Sequence, residues 1–388
     1  MKKNIVIFKE RMKGEGRVPL TPSQCAELLK LGHMIYIESG AGEKAGYPDE
    51  DYFFSGAGVV TSEIIPLLQS KDTVVLKVKQ PVPEDHVWLR HMKNGILFAY
   101  FHSTGEKERR TIDVLLKNSI TAISYENIQA SDGTYPILTP MSEIAGHLAT
   151  EWGLKFFHDA RERSGKEPVE NRYICMMVVG AGTVGFAAIQ KGIELGFSSI
   201  TVFEKDTKKG TVFCERFPPK KTTRTQVEFY SQAEPRYQDT LRCKLANADL
   251  LVGAVLVPGG HAPTVVSEDY VKLVQTGGVI VDVACDQGGC VWYPESEKRN
   301  VFEYKGKIFC RTPNMPGSVP RESTPLLTDA IFPYLLRLLD SVGIEAAFKN
   351  HPVLRTGILT HEGAVMNKEV ALYWNELYRD PEETFGRA

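Results

Sequence analysis

Short apolar runs alternate with amphipathic stretches along the first third of the chain. Residues 4–8, 34–37, 73–78 and 95–100 are apolar runs of strand length, rich in β-branched and aromatic side chains. A helix is predicted to begin after Thr21, with Pro22 at its first position and Gln24 three residues after the cap, and to stop at Gly32. Strands separated by helices predict a parallel sheet with crossover helices.

A second strand and helix series follows a long predicted helix over residues 141–162. Residues 173–179 are continuously apolar, as in a strand buried on both faces. Further strands are predicted over 200–203, 250–255 and 279–284, whereas 205–242 receives no structural assignment. After Cys310 the pattern indicates a loop, a helix over about 325–342 and a polar tail.

This order of elements predicts two doubly wound, Rossmann-like α/β domains with a cleft between them. Residues 139–309 form the expected nucleotide-binding domain. Residues 1–138 and 310–388 form a discontinuous second domain, the expected substrate domain. A cleft between two such domains is the default position for a small-molecule site.

Composition narrows the classes of function. The 388 residues carry 46 Lys and Arg against 48 Asp and Glu, a net charge of −2, which argues against nucleic-acid or polybasic membrane binding. No apolar run reaches the about 18 residues of a membrane span. The seven cysteines are scattered and include no CxxC pair, so their spacing indicates neither a disulfide framework nor a metal cluster. We therefore expect reduced thiols and a cytoplasmic protein.

The strongest local motif is a glycine-rich turn that follows a buried strand and opens a helix. Gly180, Gly182 and Gly185 have the spacing of a dinucleotide fingerprint, and Glu204 ends the next predicted strand 19 residues later. A carboxylate there suits the ribose hydroxyls of NAD. The nearby lysines 205, 208 and 209 leave NADP as an alternative, and a turn required only for packing is the structural alternative.

Charged residues near predicted strand ends suggest a second kind of site. Asp286 follows a strand and fits either an acid/base role or a turn cap. Arg17 lies in a charged loop and fits either an anion clamp or a solvated side chain. Lys77 and Lys79 lie two residues apart on an apolar predicted strand. Lysines on such a strand require either a nearby anion or a position at the sheet edge. His102 ends another apolar run. A histidine in that position is more often structural. Together the cations and the histidine suggest a site for a small carboxylate that undergoes proton transfer.

At this point the chain resembles alanine dehydrogenases, in the family that includes the soluble part of proton-translocating transhydrogenase. The resemblance extends over nearly the whole chain and rests on eight blocks: GRVPLTP (16–22), LKVKQP (76–81), FAYFHS (98–103), PMSEIAGHLA (140–149), VVGAGTVG, VGAVLVPGG, VDVACDQGGC and NMPGSVP (314–320). The PMSE, DQGG and NMPG blocks favour the dehydrogenase over the transhydrogenase.

The resemblance implies a role for each matching residue. Arg17 would clamp the substrate carboxylate, and Lys79 would bind substrate and polarise the reacting carbon. His102 and Asp286 would be the acid/base residues. The implied NAD-binding residues beyond the three glycines are Ser142, Glu204, Val255, Leu256, Val283, Asp286, Asn314 and Met315. Family members usually carry an aspartate at the position of Glu204 and an alanine at the position of Pro313.

The function implied is reversible oxidative deamination of L-alanine to pyruvate and ammonia, an NAD-dependent reaction of the EC 1.4.1.1 type. No metal is expected, and a homohexamer is implied. Two alternatives remain open. One is an opine- or saccharopine-type dehydrogenase that joins an oxo acid to an amino acid. The other is a non-catalytic, transhydrogenase-like nucleotide-binding subunit.

Overall fold

The chain folds as two compact units that share one polypeptide in an interrupted order. A computed structural model describes residues 2–61, 64–70, 73–105, 108–217, 225–255 and 262–386. Met1–Met141 and Gly317–Ala388 form one unit, here called the terminal unit, and Ser142–Pro316 form the middle unit. The divisions fall at 141/142 and 316/317, against the expected 138/139 and 309/310.

The terminal unit contains a mixed sheet of eight strands in the order β15-β14-β6-β5-β4-β1-β2-β3. The six neighbouring strands β6-β5-β4-β1-β2-β3 are all parallel. Most of their side chains are buried, as their apolar sequences predict. The strands are β1 (Asn4–Ile7), β2 (Met34–Glu38), β3 (Gly58–Val60), β4 (Thr73–Leu76), β5 (Ile96–Ala99), β6 (Thr121–Ser124), β14 (Ile358–His361) and β15 (Ala364–Val365).

The C-terminal segment corrects the prediction of a polar tail. Strand β14 pairs antiparallel with β6, and β15 pairs antiparallel with β14. All four residues of β14 are buried. The pairing of β14 with β6 joins segments that are distant in sequence, so no local pattern predicts this addition to the sheet.

The first helix of the terminal unit begins at a strong capping motif. The predicted start of α1 is confirmed, because Thr21 and Gln24 form a reciprocal capping box and Pro22 is the first helical residue. Gly32, which follows the helix, has φ of +91°. The helices are α1 (Pro22–Lys30), α2 (Asp49–Ser55), α3 (Ile64–Leu67), α4 (His86–Leu89), α5 (Arg109–Lys117), α11 (Pro320–Leu339), α12 (Ile344–Asn350), α13 (Pro352–Arg355), α14 (Lys368–Trp374) and α15 (Pro381–Phe385).

The middle unit contains a seven-stranded sheet in the order β12-β13-β11-β10-β7-β8-β9. Every pair is parallel except β12 with β13. The strands are β7 (Cys175–Val179), β8 (Ser199–Glu204), β9 (Gln226–Ser231), β10 (Leu250–Gly253), β11 (Val279–Asp282), β12 (Val301–Tyr304) and β13 (Lys307–Cys310). The helices are α7 (Thr183–Glu194), α8 (Lys209–Arg216), α9 (Tyr237–Ala246) and α10 (Glu268–Leu273).

The long predicted helix is present as α6 (Leu138–Arg163), which contains the division between the units. The predicted fold class of two α/β domains is thus confirmed. The segment 205–242, which received no assignment, contains α8, β9 and most of α9, while residues 218–224 lie outside the described residues.

Several element boundaries differ from the expected ones. Strand β4 ends at Leu76, so Lys77 and Lys79 follow the strand rather than lying on it. Helix α11 begins at Pro320, five residues before the expected start, with Pro325 inside its second turn. A proline is tolerated in the first turns of a helix, so Pro325 indicates that the start is near but does not identify the first helical residue. Within the described residues no helix is long and apolar enough to cross a membrane.

Candidate active site

Arg17 is a fully buried cation whose position is fixed by the neighbouring Glu15. Glu15 Oε1 accepts hydrogen bonds from Arg17 Nε at 2.8 Å and from the backbone amides of Gly16 and Arg17, while Glu15 Oε2 accepts from Arg17 Nη2 at 2.6 Å. Burial alone would lower the pKa of Arg17, but the Glu15 carboxylate outweighs burial and raises it. The loop arginine is therefore an ordered charge, and not a solvated side chain.

The third nitrogen of the Arg17 guanidinium points toward a methionine sulfur. Arg17 Nη1 lies 3.0 Å from Sδ of Met141, at the end of the terminal unit. Because Glu15 occupies the edge formed by Nε and Nη2, a planar carboxylate can approach Arg17 only from the edge that includes Nη1.

Lys77 belongs to an internal ion cluster. Its Nζ lies 3.2 Å from Asp85 Oδ2 and 3.4 Å from Glu10 Oε2, and all three side chains are buried. Burial raises the pKa of Glu10, against the opposing charge of Lys77. Asp85 also accepts hydrogen bonds from Trp88 Nε1 and Arg11 Nη1, each at 3.0 Å. The anion that the buried lysine requires is thus supplied by the protein itself.

Lys79 is also buried but meets a histidine instead of a carboxylate. Its Nζ lies 3.2 Å from Nε2 of His102. Loss of water around the ring and the charge of Lys79 both lower the pKa of His102. Of these two causes of the lowered pKa, the charge of Lys79 is the stronger, since His102 as a whole residue is still exposed to solvent. An imidazole beside an ammonium stays neutral at neutral pH and can accept a proton.

Two further residues of this region were not singled out from the sequence. The Tyr100 ring lies 5.6 Å from Lys79 Nζ, and its hydroxyl donates to the Ile137 carbonyl at 2.9 Å. Burial raises the pKa of Tyr100, and the nearby Arg17 charge opposes that rise. Tyr100 therefore connects the Arg17 and Lys79 environments.

Glu126 is the second unrecognised residue. Its two carboxylate oxygens accept from the Phe101 amide at 2.8 and 3.1 Å, directly before His102. Burial raises the pKa of Glu126 to about 7, although that hydrogen bond and the charge of Lys79 act in the other direction. FAYFHS is the sequence signal that includes Tyr100, but no local pattern points to Glu126.

In the middle unit, the glycine-rich turn has the geometry of a phosphate cradle. Gly180 has φ of +102°, and a Cβ on Gly185 would collide with the Gly180 carbonyl oxygen. Neither position admits a side chain. At Gly182, by contrast, no described atom lies within 4 Å of the point that a Cβ would occupy. This residue also caps α7, a helix of 12 residues, so a pyrophosphate can approach its amides. These residues fit a dinucleotide.

Glu204 ends β8, as expected, and its carboxylate is almost fully buried. Oε2 accepts from the Ala181 amide at 2.7 Å and from Lys209 Nζ at 3.0 Å, and Oε1 accepts from the amides of Lys205 and Asp206 at 2.8 and 3.1 Å. Burial alone would raise the pKa of Glu204, but these hydrogen bonds outweigh it and lower the pKa.

Asp286 lies in a short 3₁₀ helix, Cys285–Gln287, and is exposed. The loop that presents it is anchored by Asp282 at the end of β11. Asp282 Oδ1 accepts from the amides of Ala284 and Cys290, each at 3.2 Å, and Oδ2 accepts from the Val291 amide at 3.3 Å. The loop is thus fastened on both sides of Asp286.

The remaining predicted cofactor residues that the structure describes lie in the middle unit. Val255 follows β10, and Val283 follows β11. Met315 is buried, and Asn314 before it has φ of +52°. Ser142 is half-buried on α6. Leu256 lies outside the described residues.

Two models of one protein family match most of the chain. The family model "Alanine dehydrogenase/PNT, N-terminal domain" matches residues 6–145, and "Alanine dehydrogenase/PNT, C-terminal domain" matches residues 169–368. The chain belongs to the alanine dehydrogenase/PNT family.

Individual relatives cover nearly the whole chain. An alanine dehydrogenase of Mycobacterium tuberculosis (strain ATCC 25618 / H37Rv) is 35% identical over 376 residues, which are 93% of this chain and 94% of the relative. A solved L-alanine dehydrogenase has a TM-score of 0.83 at 31% identity and covers 96% of this chain and 99% of its own. A transhydrogenase from Sinorhizobium meliloti shares the fold, with a TM-score of 0.76 at 21% identity, covering 94% of this chain and 100% of its own.

Proposed function

We propose that this protein is an NAD-dependent L-alanine dehydrogenase. It converts L-alanine, NAD and water reversibly into pyruvate, ammonia and NADH. The observation that carries the proposal is the Lys79–His102 contact of 3.2 Å, in the same unit as the buried, carboxylate-anchored Arg17. The relatives named alanine dehydrogenase support the choice of substrate.

Arg17 is the proposed clamp for the substrate carboxylate. The Glu15 carboxylate holds the guanidinium by Nε and Nη2, so the edge with Nη1 is presented without a search among rotamers. A charge-assisted hydrogen bond of this kind contributes about 1.5–3 kcal/mol, which is roughly a tenfold effect or more on substrate use.

Lys79 and His102 are the proposed polarising and proton-transferring groups. An ammonium only donates, so His102 Nε2 accepts from Lys79 and the neutral ring holds its own proton on Nδ1. When Lys79 turns to the substrate oxygen, Nε2 is ready to take a proton from the water that attacks the iminium. The family resemblance assigns Asp286 as the second acid/base.

Gly180, Gly182 and Gly185 would hold the pyrophosphate of NAD, and Glu204 would face the adenosine ribose. Ser142, Val255, Val283, Asn314 and Met315 are the other proposed contacts. The chemistry that NAD supplies when bound is acceptance of a hydride from the alanine Cα. The family resemblance also supports a homohexamer, and the scattered cysteines support the reducing cytoplasm as its location.

The direct test is the absorbance of NADH in the presence of pyruvate and ammonium. We expect NADH to be consumed only when both are present, and L-alanine with NAD to drive the reverse reaction. Consumption with an amino acid in place of ammonium would instead identify the N-alkylating alternative. Binding of NADH without turnover of any amino acid would identify the non-catalytic alternative.

His102→Ala and Asp286→Asn test the acid/base roles. General acid–base catalysis contributes about 10²–10⁴-fold, so each change is expected to lower kcat by about 10²-fold or more. Circular dichroism and NADH binding should stay unchanged. A kcat within a few-fold of the parent would remove that residue from the proposed mechanism.

A further inference from the structure

The carboxylate of Glu204 is saturated by donors from its own chain. A carboxylate offers about four acceptor positions, and Glu204 uses them for the amides of Ala181, Lys205 and Asp206 and for Lys209 Nζ. A ribose diol that binds this carboxylate must therefore displace one of the four donors.

The four donors differ in how easily they can leave. Three are backbone amides fixed by the turn after β7 and by the end of β8. The fourth is the Lys209 ammonium, whose flexible side chain is 41% exposed, against 9% for the Glu204 side chain. A half-exposed ion pair costs little to break, since such pairs contribute about 0–1 kcal/mol. Lys209 is thus the donor that yields.

We propose that Lys209 is a specificity-determining residue for the 2′ position of the adenosine ribose. It competes with a ribose diol for Glu204, and it supplies the cation that a 2′-phosphate would need. The inference rests on the proposed NAD-dependent function and adds to it a residue that sets the choice between NADH and NADPH.

The chemistry of the two cofactors acts on the pair in opposite ways. The diol of NADH donates hydrogen bonds, so it gains from the Glu204 carboxylate and loses from competition with Lys209. The phosphate of NADPH only accepts at neutral pH, so it is repelled by Glu204 and attracted by Lys209. The ion pair weakens both effects, which makes the preference for NADH moderate and dependent on both residues.

The test measures dissociation constants of NADH and NADPH by cofactor fluorescence, on the full chain and without substrate. In Lys209→Met, the ratio of the NADPH constant to the NADH constant should rise about tenfold, because the cation is lost and the carboxylate is freed. In Glu204→Gln, the ratio should fall about tenfold, because Lys209 is released from its partner. In the double variant, which lacks the Lys209 cation, the fall in the ratio seen in Glu204→Gln should disappear.

Lys208→Met is the matched control, since Lys208 precedes Lys209 and its side chain is exposed. A ratio in Lys209→Met that rises by less than about threefold over this control, or that falls, would overturn the inference. A merely structural ion pair would change unfolding and leave the ratio alone. Failure of the parent protein to bind either cofactor would instead refute the proposed function.

Discussion

Arg17 and Lys77 are buried cations of the terminal unit, and each is held by carboxylates of the same unit. Glu15 accepts hydrogen bonds from two nitrogens of Arg17, whereas Lys77 forms ion pairs with both Glu10 and Asp85. Removing one member of such a pair leaves a buried charge without its partner, which costs far more than the pair contributes. The anchoring carboxylates are therefore as important to the candidate site as the cations.

Glu15→Gln should raise the KM for alanine about tenfold while kcat and the NADH dissociation constant stay within a few-fold. The amide keeps one acceptor but cannot hold both Nε and Nη2, so Arg17 loses its fixed direction. Glu50→Gln, an exposed residue on α2, is the control. Steady-state kinetics on both variants check this. An unchanged KM in Glu15→Gln would show that Arg17 needs no anchor.

Glu126 makes stability depend on pH. Its pKa is raised from 4.5 to about 7 in the folded protein, so ionisation is easier in the unfolded chain and stability falls as pH rises through this window. The free energy of unfolding of Glu126→Gln minus that of the parent should therefore be about 1–2 kcal/mol larger at pH 8 than at pH 5. Urea unfolding at both pH values measures it, and a pH-independent difference would contradict the raised pKa.

Residue-level prediction from sequence succeeds where a motif is local and fails where a partner is distant. Arg17, Lys79 and His102 stand in recognisable blocks, and the structure places the last two in contact. Glu126 reaches the Phe101 amide across 25 residues, and Lys77 finds Glu10 on another segment. Such partnerships exist only after the sheet has brought the strand ends together.

At the scale of single elements, the loop after β11 depends on one side chain. Asp282 is buried and accepts amide hydrogen bonds from both ends of the loop that carries Asp286. A sheet of parallel strands places such loops at one edge, and this loop is kept in shape by its own carboxylate anchor.

Asp282→Asn should loosen this loop without unfolding the sheet. An amide side chain has one acceptor oxygen, so at least one buried backbone amide loses its partner, at a local cost of about 1–3 kcal/mol. We expect faster hydrogen exchange over residues 284–291 and a kcat lowered about tenfold. Asp269→Asn, whose carboxylate pairs with Lys272 on the exposed side of α10, is the control. Unchanged exchange in 284–291 would remove Asp282 as the anchor.

Elements with a strong local signal are predicted well, and elements defined by pairing are not. The capping box of α1 and the apolar run of β7 are local, and both appear at the expected place. Strands β3 and β15 have three and two residues, so no periodicity can mark them. Strand β4 is shorter than its apolar run because its pairing with β1 ends at Leu76.

At the scale of the whole molecule, the terminal unit is one cooperative structure built from both ends of the chain. Leu359 of β14 belongs to the same buried cluster as Val6 of β1 and Trp88 of α4. The parallel order of the strands and the fold class follow from the sequence pattern. The antiparallel addition of β14 to β6 does not, because nothing local in either strand specifies that partner.

Leu359→Ala should destabilise the N-terminal part of the sheet although it lies near the C-terminus. Truncation of a fully buried leucine costs about 2–5 kcal/mol. The same change at Leu372, which is 74% exposed, should cost less than about 0.5 kcal/mol. Urea unfolding followed by tryptophan fluorescence compares the two. Equal, small effects would mean that the C-terminal strand is not part of the N-terminal core.

The pairing of β6 with β14 also has a consequence for biosynthesis. Residues 125–357 must be translated before the edge of β6 receives its neighbour, and they include the entire middle unit. At about 5–20 residues per second this interval lasts roughly ten seconds or longer. During that time the nascent N-terminal segment carries an unpaired strand edge, which is a template for wrong pairing. Until its last strands emerge, the ribosome-bound chain therefore lacks the partner that covers this edge of β6.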